Sequence, residues 1–236
     1  MTASSRKKPT LHVLAGVNGA GKSSIGEEIF LSKHSNVFNP DTLASKIRAP
    51  HPDISPALAN GHAWQIGKSL LEQAIKEGKD YRFETTLGGR SITELLQQAA
   101  KGGHRLNIWF CGLESPELHL RRVRARVERG GHDIPEDKIR ERWNGSRVNL
   151  IRLLPHIHHL RVYDNSIEGD PAKGQPPRPV LVLEMKHGKI TAPSDLTRAP
   201  DWAQPIVAAA FRLHRRLGFQ PDTFRRRPER PSSALC

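Results

Sequence analysis

Hydrophobic positions along the chain alternate between two patterns. Short, nearly continuous apolar runs are separated by longer stretches in which apolar residues recur every three or four positions. The runs at 11–15, 81–84, 106–113 and 160–163 predict strands, with a weaker and shorter strand at 36–38. The run at 106–113 is unbroken enough for the middle of a parallel sheet, where a strand is buried on both faces. Helical stretches lie between them, at 22–32, 41–48, 56–77, 91–102, 116–130, 135–154 and 202–217. Their ends carry local signals. Ser55-Pro56 and Ser115-Pro116 each offer a capping hydroxyl followed by a first-turn proline. Ser91-Ile92-Thr93-Glu94 has the form of a capping box. Gly78, Gly102-Gly103 and Gly130 close helices, and Pro155 stops the long one. Beyond a Pro/Gly-rich loop at 169–179, residues 180–185 and 189–191 predict a hairpin turning at His187-Gly188.

Strands alternating with helices predict an α/β three-layer sandwich around a parallel sheet of about five strands. In such sheets ligands bind beyond the carboxyl ends of the strands. Gly16, Asp41, Glu84 and Asp164 all fall at or just past such ends. The expected organisation is a basic extension at 1–10, one domain over 11–218 and a basic, disordered tail at 219–236. Within the domain, 121–147 is expected as a helical lid and 180–191 as an appended hairpin.

Composition narrows the setting. The 236 residues can bury a core without disulfides or metals, and there are only 2 cysteines. No apolar stretch is long enough for a bilayer span, and the N-terminus lacks a signal-peptide core. These features predict a soluble protein of the cytoplasm. The formal net charge is +13, and seven basic residues (Arg6, Lys7, Lys8, Arg225, Arg226, Arg227 and Arg230) lie in the terminal extensions. Such a balance points to an anionic partner: a nucleotide, a nucleotide sugar or nucleic acid.

One motif carries specific chemistry. Gly16-Val17-Asn18-Gly19-Ala20-Gly21-Lys22-Ser23 satisfies G-x-x-x-x-G-K-[ST] in full, with a strand before it and a helix after it. Three glycines let successive N–H groups turn inward on phosphate oxygens, and the helix adds its positive end. Lys22 is expected on the β- and γ-phosphates and Ser23 on Mg²⁺, with Ser24 beside them. ATP and Mg²⁺ are therefore the expected cofactors. No Asn-Lys-x-Asp guanine reader or transporter-type signature accompanies the loop.

Further candidates follow from position. Asp41, just past the second strand, is placed to take a proton from an attacking hydroxyl, and equally to cap the helix behind it. Glu84 ends a buried strand, where a carboxylate must be paired or face a site. It could order Mg²⁺-bound water or hold a substrate hydroxyl, and Thr85 could contact substrate. Residues 121–147 hold nine Arg and Lys against five Asp and Glu. Arg122, Arg126 and Arg129 share one helix face, Gly130-Gly131 follows, and a second helix carries Arg140 and Arg142. The pattern suits a lid that closes arginines on a phosphoryl group, or a solvated helix face. His132, in the glycine hinge, is expected near the site; His156, His158 and His159 are expected at the surface.

These segments, in order, resemble the zeta-toxin-like P-loop kinases. The resemblance rests on the P-loop, Phe38-Asn39-Pro40-Asp41, Phe83-Glu84-Thr85-Thr86-Leu87 and Gly112-Leu113 with Ser115-Pro116-Glu117-Leu118. It continues through Arg122-Val123, Arg126-Val127, Gly130-Gly131-His132, Asn149-Leu150 and Tyr163-Asp164-Asn165-Ser166. It implies a P-loop kinase fold and transfer of the γ-phosphoryl of ATP to a hydroxyl of a small metabolite. In that family the acceptor is UDP-N-acetylglucosamine. It further implies Asp41 as base, Glu84 on the substrate, Arg122 and Arg126 on the transferring phosphate, Asp164 and Asn165 near the adenine, and an antitoxin partner. Two other classes fit the charge and the loop: a nucleic-acid kinase or nucleic-acid-associated ATPase, and a non-catalytic nucleotide switch. The scarcity of aromatic residues for stacking bases weighs against nucleic acid.

Overall fold

The computed structural model describes residues 7–23, 25–26, 37–51, 53–131, 133–169 and 178–218. Ser24, His132, most of the expected helix at 22–32, part of the loop at 169–179 and the tail at 219–236 lie outside the described residues.

The elements are β1 (Thr10–Ala15), α1 (Pro40–Arg48), α2 (Pro56–Glu77), β2 (Tyr81–Thr85), α3 (Arg90–Lys101) and β3 (Arg105–Gly112), then α4 (Pro116–Val127), α5 (Glu136–Leu153), β4 (His159–Asp164), β5 (Val180–Lys186), β6 (Lys189–Ala192) and α6 (Gln204–Arg216). They build one six-stranded sheet in the order β2-β1-β3-β4-β5-β6. The first four strands in that order are parallel, and β5 and β6 add on antiparallel. The weak strand expected near 36–38 shrinks to a single bridge between Phe38 and Phe83. The Phe38 amide donates to Arg82 and its carbonyl accepts from Glu84, so the segment still borders the sheet at β2. The hairpin expected as an appendage continues the sheet itself, because β5 pairs along β4. Its turn holds His187 at φ 51° and Gly188 at φ 76°, the backbone that tight hairpins require.

Alternation along the central strands sends side chains to two faces. Val13, Ala15, Ile108 and Phe110 join the larger core with Leu96, Leu150 and Ile206. Leu14, Trp109 and Cys111 pack on the other face with Ala20 and Ile25. Each fully buried large apolar side chain contributes about 1.5–3 kcal/mol.

Of the three serine-marked helix starts, two follow the sequence signal. Ser55 and Ser115 cap α2 and α4 by accepting from Leu58 and Leu118. The capping box at Ser91 does not form. The helix α3 begins at Arg90 with Gly89 as its cap and no side-chain cap bond. The loop before it is fixed from elsewhere: Asn149 of α5 donates to the carbonyls of Leu87 (2.9 Å) and Gly89 (3.1 Å). The expectation that His159 lies at the surface is also corrected, since it is half-buried and donates to Glu184 at 2.8 Å.

Candidate active site

Ala15 ends β1, and the chain turns at once through Gly16, Gly19 and Gly21, at φ 148°, 82° and 82°. A Cβ on Gly16 would overlap the carbonyl of Cys111, and one on Gly21 would overlap the Asn165 amide. The loop is pinned on several sides. Its Gly16 amide donates to Thr85 at 3.1 Å. The Ala20 carbonyl accepts from Cys111 Sγ at 2.8 Å and from Asn165 Nδ2 at 3.0 Å. Burial pushes the Cys111 thiol up to about 12, so it stays protonated and donates. The Asn18 carbonyl is bonded to His119 Nδ1 at 2.8 Å. Burial holds His119 down to about 4, so its ring is neutral and Nδ1–H is the donor. Val17 anchors the loop among Leu120, Val123, Ile134 and Ile139. Lys22 and Ser23 open a helical segment, and Lys22 Nζ folds back onto the Gly16 carbonyl at 2.9 Å. Ser23 is exposed.

Asp41 sits in the first turn of α1. The capping role falls to Asn39, whose side chain accepts from the Thr42 amide at 3.1 Å, leaving the Asp41 carboxylate free of it. That carboxylate accepts from Asn18 Nδ2 at 3.5 Å, so it lies against the P-loop. Glu84 stands beside Leu14 near the end of β2. Burial pushes its carboxyl up, against the pull of Lys22 and a hydrogen bond from Asn39, while Asp41 adds to the rise. Lys22, Asp41 and Glu84 thus share one electrostatic neighbourhood.

A cleft of about 640 Å³ opens beside them. Asn18, Asp41, Glu84, Thr85, Thr86 and Arg142 line it with Arg48 and Lys68, and Phe38, Trp64, Ile92 and Ile134 supply apolar wall. Thr85 Oγ accepts from the Leu87 amide at 3.0 Å, which turns the chain out of β2.

The arginines divide. Arg122 donates to the Asn165 carbonyl at 2.9 Å and pairs with Glu168 at 3.4 Å, next to the loop. Arg126 is half-buried, packed against Gly131, and is not among the cleft-lining residues. Arg140 pairs with Glu117 and Glu136, each at 2.7 Å, on the exposed surface. Arg142 lines the cleft and donates to Asn18 Oδ1 at 2.9 Å. Asn165 touches the P-loop directly, whereas the Asp164 carboxylate is engaged by Ser166 and by Trp202 Nε1 at 3.2 Å. The sequence offered Arg142 only as one lid arginine beside Arg140, and gave no role to His119 or Asn149. His119 carried a signal: it lies four residues before Val123, on the apolar stripe of α4, where a histidine needs a partner.

A glycine loop between a parallel strand and a helix, with carboxylates at the neighbouring strand ends, defines a P-loop NTPase fold of the kinase type. The sequence profile of the zeta toxin family matches residues 1–168, and the chain belongs to that family. It is 31% identical over 133 residues to an uncharacterized protein of Haemophilus influenzae (strain ATCC 51907 / DSM 11121 / KW20 / Rd), covering 54% of this chain and 88% of that one. Solved structures share the fold. AvrRxo1-ORF1:-ORF2 with ATP superposes at a TM-score of 0.62 and 16% identity, covering 87% of this chain and 64% of the other. The PezAT chromosomal toxin–antitoxin system of Streptococcus pneumoniae superposes at 0.54 and 17%, covering 91% and 88%. The chain therefore spans somewhat less than two thirds of the AvrRxo1 chain it matches. Among the described residues no helix is long and apolar enough to cross a membrane.

Proposed function

We propose that the protein is an ATP-dependent phosphotransferase that moves the γ-phosphoryl of ATP to a hydroxyl of a small metabolite, with UDP-N-acetylglucosamine as the first acceptor to test. The observation that carries this is the junction at Asn18. There the P-loop meets Asp41, and Asp41 in turn faces a cleft of about 640 Å³. Donor cradle, base and acceptor space adjoin.

The residues fit the implied groups. The cradle has no room for side chains at Gly16 and Gly21, so its backbone can approach phosphate closely. Lys22 supplies a cation and Ser23 a hydroxyl for Mg²⁺, with Glu84 placed to hold a water of that ion or an acceptor hydroxyl. ATP supplies the phosphoryl group, and Mg²⁺ draws charge from it. Asp41 takes the acceptor proton as the acceptor oxygen bonds the phosphorus, and the bond to the bridging oxygen of ADP breaks. Arg122 and Arg126 are the candidates for stabilising that charge. Thr85 belongs to the acceptor wall, Asp164 and Asn165 to the nucleotide side; Ser24 and His132 keep the same proposed roles outside the described residues.

The AvrRxo1 structure solved with ATP supports the donor, and the toxin–antitoxin context of PezAT supports an antitoxin partner. The test is transfer from labelled ATP with Mg²⁺ to a panel of nucleotide sugars. Transfer to at least one is expected, and Asp41→Asn should lower kcat by about 10²–10⁴-fold while ATP still binds. Slow hydrolysis with every acceptor would remove the kinase reading. Full activity in Asp41→Asn would remove Asp41 as the base.

A further inference from the structure

We infer that Arg142 is a positioning residue that sets the orientation of the Asn18 side chain and, through it, of Asp41. The inference rests on Asp41 being the base of the proposed reaction.

The chemistry of the three groups leaves one arrangement. A guanidinium has only donors, and an ionised carboxylate only acceptors. Asn18 stands between them, with Arg142 Nη1 at 2.9 Å from Oδ1 and Asp41 Oδ2 at 3.5 Å from Nδ2. Reversing the amide would set Nδ2 against the guanidinium and Oδ1 against the carboxylate, losing both contacts. The donation to Asp41 is long, so it aims the carboxylate more than it binds it. It engages Asp41 Oδ2 from the P-loop side, and Asp41 also lines the cleft.

Each member of the chain is held in place. Asn18 is 3% exposed, and its main-chain carbonyl is fixed by His119 of α4. The stem of Arg142 is wedged against the loop that follows β2. A Cβ on Gly88 would lie 2.7 Å from Arg142 Cγ, and one on Gly145 would lie 2.6 Å from the Gly88 carbonyl. Helix and loop therefore touch too closely for side chains at either glycine, and the arginine leaves from a fixed base. The helices α4 and α5, on either side of Gly130-Gly131, both grip the same P-loop residue. The charged groups sharing the cleft with Asp41 are Arg48 of its own helix, Lys68 of α2, Glu84 of β2, Asp133 ahead of α5, and Arg142. Lys22 lies beside Glu84.

The test compares wild type with Arg142→Ala and Arg142→Lys, after thermal melting shows which variants fold. In Arg142→Ala the Kd for ATP should stay within about twofold while kcat falls about 10–100-fold, the scale on which a misaligned catalytic group costs rate. Added guanidinium, far below denaturing concentrations, should restore part of the rate. Arg142→Lys, which keeps the charge but not the fork, should fall between. A wild-type rate in Arg142→Ala would overturn the inference. So would a loss of ATP binding in proportion to the loss of rate. A further readout needs no acceptor: hydrogen exchange of the Asn18 side-chain amide, measured by NMR, should quicken in Arg142→Ala. Unchanged exchange overturns the inference whether or not any acceptor is phosphorylated, whereas a wild type that phosphorylates nothing overturns only the functional reading.

Discussion

At Gly16 one added methyl group would run into the main-chain carbonyl of Cys111, whereas at Gly21 it would meet the movable end of the Asn165 side chain. The two glycines therefore predict different failures. Gly16→Ala forces β1 away from β3 and holds alanine at a positive φ, so it should destabilise the fold by at least about 1–3 kcal/mol. Gly21→Ala also holds alanine at a positive φ, but its clash can be relieved by swinging Asn165 aside, which breaks the bond to the Ala20 carbonyl. It should melt closer to wild type yet weaken ATP binding about tenfold, the equivalent of one good hydrogen bond. Denaturant melts and calorimetric titration with ATP separate the two outcomes. The glycines, Lys22 and Asp41 were legible in the sequence because their chemistry is local: a motif, and a carboxylate just past a strand. The contact made by Arg142 was not, since its partner Asn18 is 124 positions away and nothing in its own helix distinguishes it from Arg140.

Between β2 and α3 the chain makes a turn that local signals did not foretell. Leu87 is 1% exposed and held at φ 54°, a conformation that costs a leucine energy. Two hydrogen bonds from the buried Asn149 hold it there. The capping box at Ser91 was a sound local expectation, overridden because α5 fixes the preceding carbonyls and leaves Gly89 as the cap. Asn149→Ala should cost about 2–3 kcal/mol in a denaturant melt, since it abandons two carbonyls around a buried site. Because Thr85, Thr86, Leu87 and Gly89 all line the cleft, it should also raise the acceptor KM while leaving the Kd for ATP near wild type. An unchanged KM would show that the turn keeps its shape without Asn149.

Across the whole molecule the hairpin widens the sheet, and Glu184 ties it to β4. Burial pushes the Glu184 carboxyl up, but hydrogen bonds from His159 and Arg161, with the charges of Arg161 and Lys186, outweigh it and hold it at about 2. A carboxyl depressed in the folded state stabilises the fold above its unfolded value. That contribution fades as the pH falls from about 4.5 toward about 2. Glu184→Gln should therefore lower Tm at pH 7, by about 4–8 °C for a loss near 2 kcal/mol. The gap to wild type should close on acidification through that window. A gap that stays constant with pH would mean that packing, not the ion pair, holds the hairpin.

The sequence by itself determined the alternation of strands and helices, the phosphate cradle and the two carboxylates beside it, because periodicity, glycine spacing and strand ends are properties of short segments. The tertiary structure decided what surrounds them. It reduced the strand near Phe38 to one bridge, joined the hairpin to the sheet, and separated Arg122 and Arg142 from the surface pair made by Arg140. It also put Arg142, Asn18 and Asp41 in one line. These outcomes depend on contacts between distant residues, where burial and the pairing of donors with acceptors choose among side chains that look alike along the chain.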